Sequence, residues 1–302
     1  MTNLILIFLC LLLGMLIRRS NRFPQASHRA LNGFVIHISL PALIFYHIHY
    51  LELKSDLWLA VSMPWIVFIF SLFIFWSLYL CGYLERKTAA CLILTCGLGN
   101  TSFVGLPLIE AYFGKEFLGI GIILDQLGTF LALGTVGVLF AFYAKSDTWN
   151  FSEMGKMVFF FPPSQALAIA FLSKIFIYPE WLDNILLRLG DTLTPIALVS
   201  IGMQLKISDI RIEAKSILLG LTYKLLLAPL IIFLIYIFSF NTSSDHLNVI
   251  VFESGMGPMV TGTIIAIENE LNERLASVIL GVGILVSILS TNVLYSLLQI
   301  QF

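Results

Sequence analysis

The chain has 302 residues, 59% of them hydrophobic and 12% charged, with a mean hydropathy of +0.95. Soluble domains carry about 25% charged residues, so the composition excludes a soluble enzyme or regulator and points to an all-α polytopic membrane protein. The formal net charge is -1 and there is no basic domain, so the lipid bilayer is the expected partner and nucleic acid is not.

A helix needs about 20 apolar residues to cross a bilayer. That ruler predicts ten transmembrane helices, at residues 2–17, 30–51, 57–81, 88–113, 118–144, 157–177, 185–205, 216–240, 247–267 and 275–298. The first apolar run has no basic stretch before it and no small-residue cleavage site after it. Arg18-Arg19 stops it, so it reads as a retained first helix. Cys10, Cys81, Cys91 and Cys96 lie in apolar runs without a CxxC pair, the pattern of small buried hydrophobes. Pro41 in the second span and Pro195 in the seventh are expected to break or kink their helices, with the Ser39 and Thr194 hydroxyls satisfying freed backbone groups. His37, His47 and His49 lack the spacing of a metal site, and none is expected.

Loop charge sets the orientation. Arg18, Arg19, Arg22, Arg29, Arg86, Lys87, Lys145, Lys156, Lys206, Arg211, Lys215 and Arg274 fall on one side of the ten-span arrangement, and only Lys54 and Lys115 on the other. The basic side is expected to be cytoplasmic, which puts both termini of a multi-pass plasma (inner) membrane protein on the non-cytoplasmic side.

The fourth span contains Gly97-Leu98-Gly99-Asn100-Thr101-Ser102-Phe103-Val104-Gly105-Leu106-Pro107. Glycine and proline weaken a helix, and polar groups are costly in lipid. Non-helical backbone at membrane depth survives where protein or a polar cavity surrounds it, so the stretch reads as a broken helix lining a site. The ninth span answers it with Glu253-Ser254-Gly255-Met256-Gly257-Pro258-Met259-Val260-Thr261-Gly262-Thr263. Ser39-Leu40-Pro41-Ala42-Leu43-Ile44 is answered in the same way by Leu193-Thr194-Pro195-Ile196-Ala197-Leu198, and both separations are about 155 residues. The halves are residues 1–144 and 157–302, joined by a polar link at 145–156. Five helices per half is odd, so the second half is inverted relative to the first. Inverted repeats with matching interrupted helices point to a secondary transporter with a midplane site.

Gly99-Asn100-Thr101-Ser102-Phe103-Val104-Gly105-Leu106-Pro107-Leu108-Ile109 with Tyr112-Phe113-Gly114, Leu40-Pro41-Ala42-Leu43-Ile44-Phe45, and Pro195-Ile196-Ala197-Leu198 leading to Ile201-Gly202-Met203-Gln204-Leu205 carry a further similarity, as does Lys224-Leu225-Leu226-Leu227-Ala228-Pro229. Through them the sequence resembles the auxin efflux carrier family, which includes plant PIN-type carriers and shorter prokaryotic relatives, over essentially its whole length. The resemblance implies ten helices in two inverted five-helix repeats, with helices four and nine crossing as broken helices at the substrate site. It implies a scaffold of helices one, two, six and seven that forms a homodimer, and a transport domain of helices 3–5 and 8–10. It also implies a small organic anion as substrate and a substrate contact at Asn100. Family members usually place proline directly after the methionine of helix nine, whereas here Gly257 separates Met256 from Pro258.

The chemistry of the site follows from the breaks. A broken helix exposes unpaired N–H groups at the start of its second half and unpaired C=O groups at the end of its first. The former suit a carboxylate without an arginine, and the latter suit a cation. Asn100, Thr101, Ser102, Gly105, Gly257, Pro258 and Met259 are the candidate substrate-binding residues, and Gly99, Pro107 and Gly255 join Pro41 and Pro195 as helix-break residues. Asp125, Gln126, Glu253 and Lys224 are polar or ionisable groups within predicted spans, functional candidates by default. They are expected to handle a coupling ion, H+ or Na+, and no cofactor is expected. No HExxH, GxSxG, GxGD or P-loop signature is present, so an enzyme or ATP-driven pump is not expected. The expected function is a secondary transporter of a small carboxylate, such as malate, malonate or an auxin-like acid. The rivals are a sodium-coupled carrier resembling the bile-acid symporters and a membrane-embedded ligand sensor.

Overall fold

The computed structural model describes residues 2–20, 23, 24, 26–50, 58–146, 159, 160, 162–204, 207–240 and 245–301. The described chain is helical. Its one strand-like feature is an isolated antiparallel bridge between Gly99 and Pro258.

Helix α1 is Thr2–Arg19 and α2 runs over residues 27–49. Helix α3 is Trp58–Leu80, α4 is Arg86–Cys96, α5 covers 101–112 and α6 is Leu118–Ser146. In the second half α7 is Pro162–Ser173, α8 is Glu180–Asp191, α9 is Leu193–Gln204 and α10 is Ile207–Ile212. Helix α11 covers 214–240, α12 is Asp245–Ser254, α13 is Val260–Glu268 and α14 is Glu273–Gln301. Among the described residues six helical stretches are long and apolar enough to span a membrane: Ser27–Tyr46, Trp58–Leu80, Leu118–Ser146, Glu180–Met203, Ala214–Ile237 and Glu273–Gln299. The link at 145–156 lies largely outside the described residues.

The fourth and ninth predicted spans are each divided into two short helices, α4 with α5 and α12 with α13. These pieces occupy the centre. Every residue of α4 from Thr88 to Cys96 and of α13 from Val260 to Ile267 is buried, as befits a helix apolar all round. Helices α3, α6, α11 and α14 pack around them. Helices α1, α2, α7, α8 and α9 pack chiefly on one another. Large apolar side chains face outward, Phe73 on α3 and Leu172 on α7 among them, where lipid would be their solvent.

One of these packings depends on glycine from both sides. Gly14 of α1 and Gly202 of α9 meet where the helix axes cross. A Cβ on Gly14 would lie 2.8 Å from Gly202 Cα, and one on Gly202 would lie 3.0 Å from Gly14 Cα. Only backbone fits between them, the small-residue contact that lets membrane helices approach closely.

The prolines depart from expectation in an instructive way. Pro41 and Pro107 do not interrupt their helices. Each follows a π-helical turn, Val35–Ser39 and Thr101–Gly105, in which the Leu40 N–H reaches the Val35 carbonyl and the Leu106 N–H reaches that of Thr101. The wider i→i+5 turn takes up the strain of a ring that would otherwise collide with the carbonyl four residues back. Pro195 too lies within a helical stretch, Glu180–Met203, whose regular hydrogen bonding is interrupted three residues earlier. The helical assignment of the predicted seventh span pauses at the single residue Thr192, which keeps helical dihedrals of φ -70° and ψ -18°. The Ser39 hydroxyl meets the Thr192 hydroxyl at 2.7 Å, rather than that of Thr194.

Candidate functional site

The two interruptions meet at the centre and complete each other. The Asn100 N–H donates to the Gly257 carbonyl at 2.9 Å, and the Met259 N–H donates to the Thr95 carbonyl at 2.9 Å. Main-chain groups left over at the end of one helix are thus satisfied by the other break, as buried backbone requires. Glycine lets the broken pieces approach each other and their neighbours. A Cβ on Gly262 of α13 would overlap the Leu94 carbonyl of α4, one on Gly97 would overlap Ser71 of α3, and one on Gly257 would lie 2.8 Å from Ser287 Oγ. Pro258 packs on Gly283 of α14, where a Cβ would lie 2.5 Å from its ring. Pro258 also ends α12. Its ring would collide with the carbonyl of Ser254 if the helix continued, so that carbonyl is released from the helical ladder.

Asn100 stands at the crossing with φ -82° and ψ 64°. It is buried, and its Nδ2 has no hydrogen-bond partner among the described residues. Its own carbonyl accepts from the Gly105 N–H at 3.0 Å. An unpaired buried amide donor costs about 1–3 kcal/mol, which makes it a natural place for a ligand acceptor.

Asp125 lies at the positive end of α5. Thr101 Oγ1 and Ser102 Oγ each donate to Asp125 Oδ1 at 2.5 Å, and Gln126 Nε2 donates to Asp125 Oδ2 at 2.7 Å. Thr101 Oγ1 also approaches Thr129 Oγ1 at 3.3 Å. The carboxylate is fully buried yet satisfied, and it orders the first turn of α5.

Glu253 is the opposite case. It lies in the last turn of α12, is fully buried, and neither carboxylate oxygen has a hydrogen-bond partner among the described residues. The carboxylate packs directly against Gly105, whose missing side chain makes room for it. Lys224 of α11, 1% exposed, donates from Nζ to the freed Ser254 carbonyl at 2.9 Å.

Most predicted site residues therefore gather at one place. Gly99, Thr101, Lys224 and Glu253 line a narrow pocket with Met63, Pro64, Val67, Gly97, Leu98 and Thr129 that has no room for a water molecule. Gln126 faces a separate cavity of ≈ 20 Å³ between α2, α6, α7 and α13, lined also by Leu40, Ile44, Phe130 and Pro163. Ser102 and Gly105 sit at the α5 side and Gly255, Gly257, Pro258 and Met259 in the α12–α13 break, whereas Pro41 and Pro195 lie away from the crossing in α2 and α9. Sequence reasoning missed Thr129, Thr95 and Ser254. Thr129 stands four residues after Asp125, on the same helical face. The other two act through backbone carbonyls, for which side-chain identity carries no signal. Among the described residues no group of three or more metal-ligating side chains forms.

An all-helical, multi-pass membrane protein with two broken helices joined at their breaks is the architecture of a transporter. The family model described as "Membrane transport protein" matches residues 1–153 and 165–295. The chain belongs to this family, the auxin efflux carrier family that its motifs resemble. It is 26% identical over 292 residues to an uncharacterized transporter of Methanothermobacter thermautotrophicus, covering 94% of this chain and 93% of that one. It is 25% identical over 287 residues to an uncharacterized transporter of Methanocaldococcus jannaschii, covering 91% of each.

Proposed function

We propose that this membrane transporter is a secondary carrier that moves a small organic anion, a carboxylate such as malate, malonate or an auxin-like acid, by alternating access at the α4–α5/α12–α13 crossing. The observation that carries the reading is the Asn100 amide, a buried donor without a partner among the described residues, at the point where the two helix interruptions meet. A carboxylate oxygen supplies the missing acceptor. The N-terminal ends of α5 and α13 add a partial positive charge of roughly half an elementary charge each, so no arginine is required. In this reading Thr101 and Ser102 orient the first turn through Asp125, and Gly105, Gly257, Pro258 and Met259 shape the wall.

The two packing groups support a division of labour. Helices α1, α2, α7, α8 and α9 form a scaffold that carries a homodimer interface, and the remaining helices form a transport domain that moves against it. The ten predicted spans would then be two inverted five-helix repeats, with both termini on the non-cytoplasmic side of the plasma membrane. Gln126 faces the cavity where the two groups meet, a place where it can report substrate occupancy to Asp125. A carboxylate at membrane depth with no hydrogen-bond partner among the described residues, Glu253, is costly unless it takes up H+ or a metal cation, and this makes it the coupling group.

A thermal-shift screen of organic acids on the purified chain, followed by counterflow in liposomes for each hit, tests the proposal. Saturable exchange of at least one acid is expected. Acids that bind without flux would instead favour a ligand sensor, and no binding across a broad panel would remove the carboxylate.

A further inference from the structure

Lys224 occupies a position that its own pairing does not explain. It sits on a π-helical turn of α11, Tyr223–Leu227, and is among the largest fully buried side chains. Its ammonium donates to the Ser254 carbonyl that Pro258 has released, at 2.9 Å. It also lies against the other break, 3.1 Å from where a Cβ on Gly99 would stand. Glu253, whose carboxylate has no hydrogen-bond partner among the described residues, lines the same pocket with Thr101 and Thr129. The ammonium thus sits where the C-terminal ends of α4 and α12 converge, each carrying about half a negative charge. Carbonyl, carboxylate and hydroxyl oxygens around the negative ends of broken helices are the ligand set that transporters offer to Na+. Here the space is filled, and no water fits beside the lysine.

We infer that the Lys224 ammonium is the resident cation of the crossing. It takes the place of a sodium ion, so the native chain neither binds nor requires Na+, and the coupling ion left to Glu253 is a proton. Truncating the lysine opens a cation-sized space beside a carboxylate and a free carbonyl, and converts the position into a Na+ site. Its consequence for transport rests on the carrier reading above, but the occupancy of the position does not.

The test is the apparent Tm of the purified full chain in NaCl against choline chloride at equal ionic strength. The wild-type chain is expected to show no difference between the two salts. Lys224→Ala is expected to be less stable than wild type in choline and to gain about 3 °C or more in saturating Na+, the size of shift that ligand linkage gives a chain of this length. Lys224→Ala combined with Glu253→Gln is expected to lose that gain. A wild-type chain stabilised by Na+ overturns the inference. So does a Lys224→Ala chain no more stable in Na+ than in choline, whether it folds or not, or a gain that survives Glu253→Gln. Organic-acid flux plays no part in this readout. A chain that transports nothing but behaves this way leaves the inference standing, and a working carrier stabilised by Na+ sinks it alone.

Discussion

At the scale of single residues the crossing holds two carboxylates in opposite conditions. Asp125 accepts hydrogen bonds from Thr101, Ser102 and Gln126, whereas Glu253 accepts none among the described residues. Their substitutions should separate accordingly. Asp125→Ala leaves buried donors unpaired, and a hydrogen bond to a charged group is worth about 1.5–3 kcal/mol. Denaturation in detergent should therefore show a loss of about 3 kcal/mol or more. Glu253→Gln breaks no hydrogen bond seen among the described residues and should cost less stability than Asp125→Ala while reducing transport. Gly105→Ala sets a methyl group against the Glu253 carboxylate and should cost about 1–3 kcal/mol as overpacking does. Adding Glu253→Ala should recover most of that loss in a double-mutant cycle, because the two positions are in direct contact. Independent, additive losses would show that the two groups do not touch.

At the scale of helices, the breaks at residues 97–100 and 255–259 were legible in the chain because glycine and proline act locally. Pro258 ends α12 by colliding with a carbonyl four residues back, an effect any sequence displays. The π turns were not legible. The Asp125–Thr129 set lies on the turn Leu124–Phe130, Lys224 on Tyr223–Leu227, and Thr101 and Ser102 on Thr101–Gly105. Nothing in the hydrophobic period marks an i→i+5 turn, since packing decides where the extra residue goes. For the same reason Pro41 and Pro107, expected as breaks, are absorbed into continuous helices. The crossing of α1 and α9 offers a test at this scale. Gly202→Leu should push the two backbones apart and lower the Tm by several degrees, at a cost of about 1–3 kcal/mol for overpacking. An unchanged Tm would mean that the helices do not approach this closely.

For the whole molecule the sequence announced a membrane protein through composition, and loop charge gives an expectation of its orientation. What it could not display is which distant segments share a pocket. Lys224 and Gly99 are brought together only by the packing of α11 against the central pieces. The orientation can be checked with the chain's own thiols. Cys81 is exposed at the end of α3, on the side of Arg86 and Lys87, whereas Cys10, Cys91 and Cys96 are buried. A membrane-impermeant maleimide should label Cys81 in inside-out vesicles and leave it untouched in intact cells. The reverse pattern would invert the topology.

The central claim is that a small organic anion binds where the two broken helices meet, held by the Asn100 amide. Its most direct test is the initial rate of uptake of a radiolabelled acid into proteoliposomes, wild type against Asn100→Ala. The account predicts saturable uptake in the wild type and a loss of about tenfold or more in kcat/KM for the variant, since one charge-assisted hydrogen bond is worth about 1.5–3 kcal/mol. Equal uptake by a folded Asn100→Ala chain would contradict it.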